Sequence, residues 1–450
     1  MNRVRKRAWI MMVFMMILVG GMSFFLYEYA TCGDSWSTLR GTTAITGQIT
    51  DREGVELLDT YNGYHYADDI TVRKATLHWL GDRQGNISTP ALRTYSAALK
   101  GYDPINGIYS INDYRGVMEL TLSARVQKTA LNALNGRKGT VAVYNYKTGQ
   151  ILCAVSAPTF DPNNVPDIAG DTTGTWEGVY MNRFTQTTYP PGSIFKIVTT
   201  AAALDSVKGI EDMTFTCESV YEIHGGRVTC ERAHGKVDLK TALAQSCNCA
   251  YAQIAQLVGS EKMAEYAERF GILDSLSFDG ITTAAGNFDL AGADKLALAW
   301  SAIGQYTDMI NPCQYMTFMG AIGAGGAAAK PYLVEQVAVG NEITYQAEPE
   351  RMKAVMDEDL AEMLTVYLRN NVQTIYGADN FPGLRVCAKS GTSELGGGRK
   401  PNAMFAGFVV DEEYPLAFIV VVENGGYGAN TCVPILSAVL RECKAVMDGR

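Results

Sequence analysis

Three short motifs fall in a fixed order along this 450-residue chain, and each demands a particular local structure around it. They are Ser193-Ile194-Phe195-Lys196, Ser246-Cys247-Asn248 and Lys389-Ser390-Gly391-Thr392. Either of the first two patterns should arise roughly once or twice by chance at this length. Decoys are present too: Ser110-Ile111-Asn112 is a second S-x-N, and Lys147-Thr148-Gly149 a second K-T-G. Local context has to separate the working set from the accidents.

Around the first motif, Tyr189-Pro190-Pro191-Gly192 blocks helix, and Ile194 to Leu204 reads as a helix rich in Ala, Ile and Val. This places Ser193 at a helix N-terminus, where unpaired N–H groups and the positive dipole end can stabilise an oxyanion. Lys196 lies one turn on, along the same face. Unprotonated, with its pKa lowered by burial and a second cation, it can take the serine proton. In isolation the same residues also describe an N-cap serine beside a solvent-facing lysine.

Ser246-Cys247-Asn248 interrupts a helical stretch, with Val237 to Leu243 and Tyr251 to Val258 both helix-periodic, so a helix–loop–helix corner is expected. There the Ser246 hydroxyl can relay a proton and the Asn248 amide can hold a substrate amide. The bland alternative is a C-cap and N-cap pair. Lys389-Ser390-Gly391-Thr392 closes a strand-like run, Leu384 to Ala388, and two strong strands follow, Ala403 to Val410 and Leu416 to Val422. Lys389, Ser390 and Thr392 can bind a carboxylate, and Gly391 permits close backbone approach. The Thr392 N–H can complete an oxyanion hole with that of Ser193. An ordinary edge-strand lysine before a turn is the alternative. The decoys lack such settings: Lys147-Thr148-Gly149 joins two alternating runs, Gly139 to Tyr146 and Gln150 to Ala157, as a hairpin turn. Ser110-Ile111-Asn112 precedes the nucleophile candidate and has no flanking helix.

The ordered set resembles that of the class B penicillin-binding proteins, and the likeness runs over roughly residues 118 to 450. Leu120-Thr121-Leu122-Ser123-Ala124-Arg125-Val126-Gln127 is similar to the segment opening that family's transpeptidase domain. Gly139 to Val143 with Lys147 to Leu152 resembles its first hairpin, and Ser156-Ala157-Pro158-Thr159-Phe160-Asp161-Pro162-Asn163 follows in the family manner. His234-Gly235-Lys236-Val237-Asp238-Leu239, Ile303-Gly304-Gln305 and Pro312-x-Gln314 extend the match. Three departures stand out. Ser390 replaces a common threonine, Met404 a common tryptophan, and Tyr306-Thr307-Asp308 a usually glycine-led run.

Near the N-terminus, Arg3, Arg5, Lys6 and Arg7 precede an apolar run from Ala8 to about Tyr27. Some 20 uncharged residues are enough to span a bilayer, with the basic flank on the cytoplasmic side. The run is long for a cleaved signal and no small-x-small site follows it. A lipoprotein signal ending at Cys32 fits poorly with the bulky Tyr27 and Tyr29. The expectation is an uncleaved single-pass anchor in the cell membrane with the rest extracytoplasmic. On that reading the ten cysteines are too few for a disulfide scaffold. Cys217 and Cys230 flank the Gly225-Gly226 turn and can face each other across a hairpin, with a bridge left open. Cys247 and Cys249 are expected to be small buried residues, and His234 a structural hydrogen-bonder. No Cys/His cluster has the spacing of a zinc site, so neither metal nor cofactor is expected. The formal charge of −9 argues against a nucleic-acid binder.

The domains expected are residues 1–29, a short basic segment and transmembrane anchor; 30–117, a small non-catalytic pedestal; and 118–450, the transpeptidase domain. Thr46 to Gly54 resembles the family's segment after the anchor, with its first arginine lost. The resemblance implies an α/β (α+β) fold of the penicillin-binding and serine β-lactamase type, a five-stranded antiparallel sheet flanked by helices. The last of these is expected at about Thr431 to Met447. It implies a peptidoglycan D,D-transpeptidase working through an acyl-enzyme on Ser193. Lys196 would be base, Ser246 proton relay, Asn248 an amide anchor, and Lys389, Ser390, Gly391 and Thr392 the carboxylate and oxyanion site. Implied partners are D-Ala-D-Ala stem peptides, β-lactams and a membrane-embedded polymerase of the shape, elongation, division and sporulation type. A serine carboxypeptidase or β-lactamase is the alternative, though no deacylating glutamate is identifiable by spacing. A non-catalytic β-lactam sensor or scaffold is the second.

Overall fold

The computed structural model describes residues 2–39, 47–61, 63–99, 102–103, 108–109 and 116–450. The decoy Ser110-Ile111-Asn112, Thr46 and the side chain of Cys32 lie outside what is described.

The larger, C-terminal part of the chain is organised by the runs that alternate least. Asn402–Val409 and Leu416–Val422 are buried along their whole length, as are Gly139–Asn145 and Ile151–Ala157. Continuous burial of a strand means that both faces of its sheet are covered. These four and Val386–Ser393 form one antiparallel sheet, with Val386–Ser393 at one edge, then Asn402–Val409, Leu416–Val422, Gly139–Asn145 and Ile151–Ala157. Side chains leave it alternately. Val141, Val143, Phe405, Phe418 and Val420 meet the helices Ala124–Leu134 and Gly428–Met447. Ala142, Tyr144, Phe408, Ile419 and Val421 meet Pro312–Gly323 on the other face. Each large apolar side chain buried this way is worth about 1.5–3 kcal/mol. Lys147-Thr148-Gly149 is indeed the turn of the first hairpin, where Gly149 has φ +90° and a Cβ would stand 2.2 Å from the Lys330 carbonyl oxygen. The final helix begins at Gly428, three residues before the sequence expectation.

A second, six-stranded sheet crosses the boundary expected at residue 117. Its order is Glu342–Gln346, Val334–Val339, Gly116–Leu120, Gln48–Thr50, Glu56–Asp59 and His65–Tyr66. A hairpin from deep in the C-terminal part thus pairs antiparallel with Gly116–Leu120, which pairs parallel with Gln48–Thr50. The helix Ile70–Leu80 is tied the same way. Its Trp79 Nε1 donates to the Ala154 carbonyl at 2.6 Å, and Arg73 bonds Asp161 at 2.6 Å. Such pairings join residues from 69 to over 200 positions apart and carry no short-range signature.

The N-terminal helix is Asn2–Leu39. Its segment Arg3–Tyr27 is 25 residues long, its most apolar 18 residues have mean hydropathy 2.2, and none of it is buried. At 1.5 Å per residue this is about 38 Å, more than the ~30 Å hydrocarbon core.

Candidate active site

The Pro190-Pro191-Gly192 breaker does what its composition suggests, with one refinement. Gly192–Phe195 forms a 3-10 turn, and the α-helix proper is Lys196–Ser206. Ser193 sits in that tight first turn, whose leading N–H groups have no intrahelical acceptor. Gly192 has φ +55°, and a Cβ there would lie 2.6 Å from the carbonyl oxygen of Thr392. The Ser193 turn therefore touches the Lys389 strand, backbone to backbone.

The Ser246 corner is also formed, though its first arm differs from expectation. Gly235–Asp238 is a strand paired with Thr214–Cys217, and the helix begins only at Leu239, capped by Asp238. Val237 contributes its one buried side chain to the strand, which the helical reading had absorbed. Helix Leu239–Ala244 ends, Ser246 turns at φ +56°, and Cys247 caps the helix Asn248–Val258. A non-glycine residue in the left-handed region is uncommon and marks a corner held by its surroundings. Lys389, expected at a strand end, lies in the middle of the edge strand Val386–Ser393. Pairing with Asn402–Val409 carries the strand on past the motif.

These three pieces converge. Lys196 Nζ stands 3.0 Å from Ser193 Oγ and 3.1 Å from Ser246 Oγ. It is also 2.7 Å from both the Ser246 carbonyl oxygen and Asn248 Oδ1. Lys389 Nζ reaches Ser246 Oγ at 3.1 Å and the Ser390 carbonyl oxygen at 2.9 Å. Ser246 Oγ is thus the shared point of two lysines. Both side chains are completely buried. Burial, then the neighbouring Lys389 cation, holds Lys196 well below the ordinary lysine value. Burial alone lowers Lys389 to about 7. The ammonium form is disfavoured because little water reaches it and a like charge lies close.

The geometry fixes where the lone pair of a neutral Lys196 would lie. A neutral amine has two N–H groups and one lone pair. The Ser246 carbonyl and Asn248 Oδ1 can only accept, so they take the two N–H groups and leave the lone pair to the hydroxyls. Asn248 is fixed in that orientation because its Nδ2 donates to the Thr229 carbonyl at 2.8 Å. The residue expected to anchor a substrate amide here spends its oxygen and one donor on orienting Lys196.

Ser390 and Thr392 line a cleft of about 590 Å³ together with Ser193, Ser246 and Asn248. Tyr376, which no local pattern distinguished, accepts the Ser390 N–H at 2.9 Å and shares a 3.0 Å hydrogen bond with Ser390 Oγ. Gly391 lets the strand press on the Ser193 turn, since a Cβ would be 2.9 Å from the Pro191 carbonyl oxygen. Thr392 Oγ1 accepts from Gly428 N at 3.2 Å. Met404, one of the departures, is fully buried and pairs with Gly391 across the strands. Asp308, another, is buried against Ser301 Oγ at 2.5 Å, and burial raises its carboxyl to about 7. That loop closes on the Ser193 turn, where Gly192 N–H donates to the Gly304 carbonyl at 2.9 Å.

The cysteine pairing that the sequence left open has an answer in the structure. Cys217 and Cys230 are free thiols and not a bridge. They meet His234 and Cys247 in one cluster, a grouping that spacing alone did not reveal. Cys249 is buried as expected.

Residues 139–441 match the family described as "Penicillin binding protein transpeptidase domain". The chain is 29% identical over 403 residues to peptidoglycan D,D-transpeptidase PbpA of Mycolicibacterium smegmatis, covering 80% of this chain and 81% of that relative. Stage V sporulation protein D of Bacillus subtilis is 26% identical over 416 residues, covering 87% of this chain and 60% of that protein. Among solved structures, the ceftriaxone acyl-enzyme complex of penicillin-binding protein A from M. tuberculosis superposes with a TM-score of 0.76 at 23% identity. The alignment covers 88% of this chain and 98% of that one, a likeness of fold. With the domain match spanning well over half the sequence and its motifs meeting in one cleft, the chain belongs to the class B penicillin-binding protein family.

Proposed function

We propose that Ser193, Lys196, Ser246 and the Lys389 strand carry out the reaction of a peptidoglycan D,D-transpeptidase. The observation that carries this reading is the position of Lys196 Nζ, within 3.1 Å of both hydroxyls while two obligate acceptors occupy its N–H groups. A stem peptide ending in D-Ala-D-Ala lies along the edge strand with its carboxylate on the Ser390 and Thr392 hydroxyls, in the field of Lys389. Ser193 Oγ attacks the penultimate carbonyl as its proton passes to Lys196. The N–H groups of Ser193 and Thr392 hold the oxyanion, each such donor being worth roughly 10²–10³ in rate. Ser246 Oγ, bonded to both lysines, hands a proton to the departing D-alanine amine and completes the acyl-enzyme. An amine of a neighbouring stem peptide then attacks the ester and frees Ser193. β-Lactams acylate the same hydroxyl.

The N-terminal helix anchors the protein in the membrane. The basic residues Arg3 to Arg7 keep that end cytoplasmic and the catalytic half on the other side, beside a membrane-embedded glycan polymerase. The test is a time course of labelling by a fluorescent penicillin, run beside Ser193→Ala. A label that persists for many minutes and is absent from the variant is expected. Rapid loss of label identifies a hydrolase, and folded protein that never labels is a scaffold.

A further inference from the structure

Beside the Ser246 corner, Cys217, Cys230, His234 and Cys247 each offer one donor atom, and all four atoms lie within 4.8 Å of one another. We infer that these residues are a tetrahedral Cys3His site for a zinc ion. The inference stands apart from the transpeptidase reading, because it concerns a metal that the proposed chemistry does not use.

The distances suit such an ion. With Zn–S near 2.3 Å and Zn–N near 2.05 Å, ligand atoms of a tetrahedral site stand roughly 3.5–3.8 Å apart. Cys230 Sγ and Cys247 Sγ are 3.8 Å apart, and Cys217 Sγ is 3.4 Å from His234 Nδ1. The first separation is far beyond a disulfide bond of about 2.05 Å. Three sulfur donors with one imidazole select a borderline-soft metal over magnesium or calcium.

The surroundings supply what thiolates need. Cys249 N–H points to Cys230 Sγ at 3.3 Å, and Ala250 N–H to Cys247 Sγ at 3.4 Å. Both donors belong to the first turn of the eleven-residue helix Asn248–Val258, whose positive end favours anionic sulfur. Outer hydrogen bonds of this kind orient metal ligands. Cys217 and Cys247 are buried, whereas Cys230 and His234 line the cleft and give the ion a route in.

The ion has a structural task. Cys247 sits between Ser246 and Asn248, and Cys230 follows Thr229, whose carbonyl holds the Asn248 amide. Joining Cys247 to Cys230 and Cys217 therefore clamps the corner that presents Ser246 and Asn248 to Lys196. The four ligands are positioning residues for the reaction.

The full chain is purified in detergent under reducing conditions and its metal content measured by mass spectrometry. About one zinc per chain is expected, lost in Cys217→Ser and His234→Ala. It is kept in Cys249→Ser, whose thiol faces the Val228 carbonyl at 3.7 Å. Because a ligand variant can fail to fold, cobalt chloride is also titrated into chelator-stripped wild-type protein. Tetrahedral cobalt absorption with a thiolate charge-transfer band supports the site. Folded, reduced wild type without zinc and without that spectrum overturns it, as does a peptide map with Cys230 disulfide-bonded to Cys247. Stripping should slow penicillin acylation by roughly 10- to 100-fold, with recovery on adding zinc chloride. An unchanged rate in stripped protein overturns the positioning role alone.

Discussion

The two arms of the cleft reach similar precision by unlike means. The Lys389 arm is the edge of a sheet buried on both faces, and its lysine is aimed by continuous strand pairing. The Ser246 arm is a corner between two short helices, turning through a residue at φ +56° and packed on four thiol and imidazole groups. In the first arm geometry is spread over many apolar contacts, so a lost contact weakens the fold before it disturbs the chemistry. In the second a few polar atoms carry it, so the chemistry fails first.

Ser246→Ala is the sharpest way to expose the contrast. It removes the oxygen shared by Lys196 and Lys389, and acylation by a fluorescent penicillin should fall by roughly 10²–10⁴-fold. The thermal midpoint should hardly move, and a fall of many degrees would erase the distinction. Phe405→Ala should do the reverse. Phe405 is fully buried beneath the edge strand, stacked on Phe381 and Phe418 with its edge to Tyr376. The loss should be about 3–5 kcal/mol by denaturant titration, with acylation well below the transition within a few-fold of wild type.

The two lysines also differ in charge. Lys196 must be neutral to accept a proton, so kcat/KM rises with pH until it has lost its own, at a pH far below the ordinary lysine range. Lys389 must be charged to attract a carboxylate, and its value near 7 sets a falling limb above neutrality, about tenfold per pH unit. A bound carboxylate favours the ammonium form, so kcat should be flatter than kcat/KM on that side. Lys389→Gln should abolish the falling limb. The smallest effect expected is that of Tyr376→Phe. It leaves the Ser390 N–H without its 2.9 Å acceptor, at about 1–3 kcal/mol in stability. KM for a carboxylate-bearing donor should rise, with kcat nearly unchanged.

The same contrast explains what could be read from the chain. Leu416 to Val422 and the hairpin from Gly139 to Ala157 announce themselves, because runs of β-branched residues bounded by turns report local backbone and burial together. The breaker before Ser193 and the polar break at Ser246 were legible for the same reason. The Cys217, Cys230, His234, Cys247 set was not: Cys230 and His234 are four positions apart, but Cys217 and Cys247 each stand thirteen positions beyond them, so no second close pair completes a familiar zinc motif. A β-hairpin, Val220–Ile223 with Gly226–Thr229, brings them together. Tyr376 and Asn371, which donates to the Ala388 carbonyl at 3.1 Å, were equally silent. Each meets the Lys389 strand through tertiary packing, and neither lies in a pattern of its own.

The sheet that runs across residue 117 gives the molecule a mechanical character. With the N-terminal helix as the proposed anchor, a pull between the membrane and the rest of the protein is taken up along Gln48–Thr50. That strand is laced side by side to Gly116–Leu120, and through it to Val334–Val339. A pull along the strand loads those hydrogen bonds together, in shear, where an unlaced linker would simply straighten. The tether and the catalytic half should therefore bear tension as one piece.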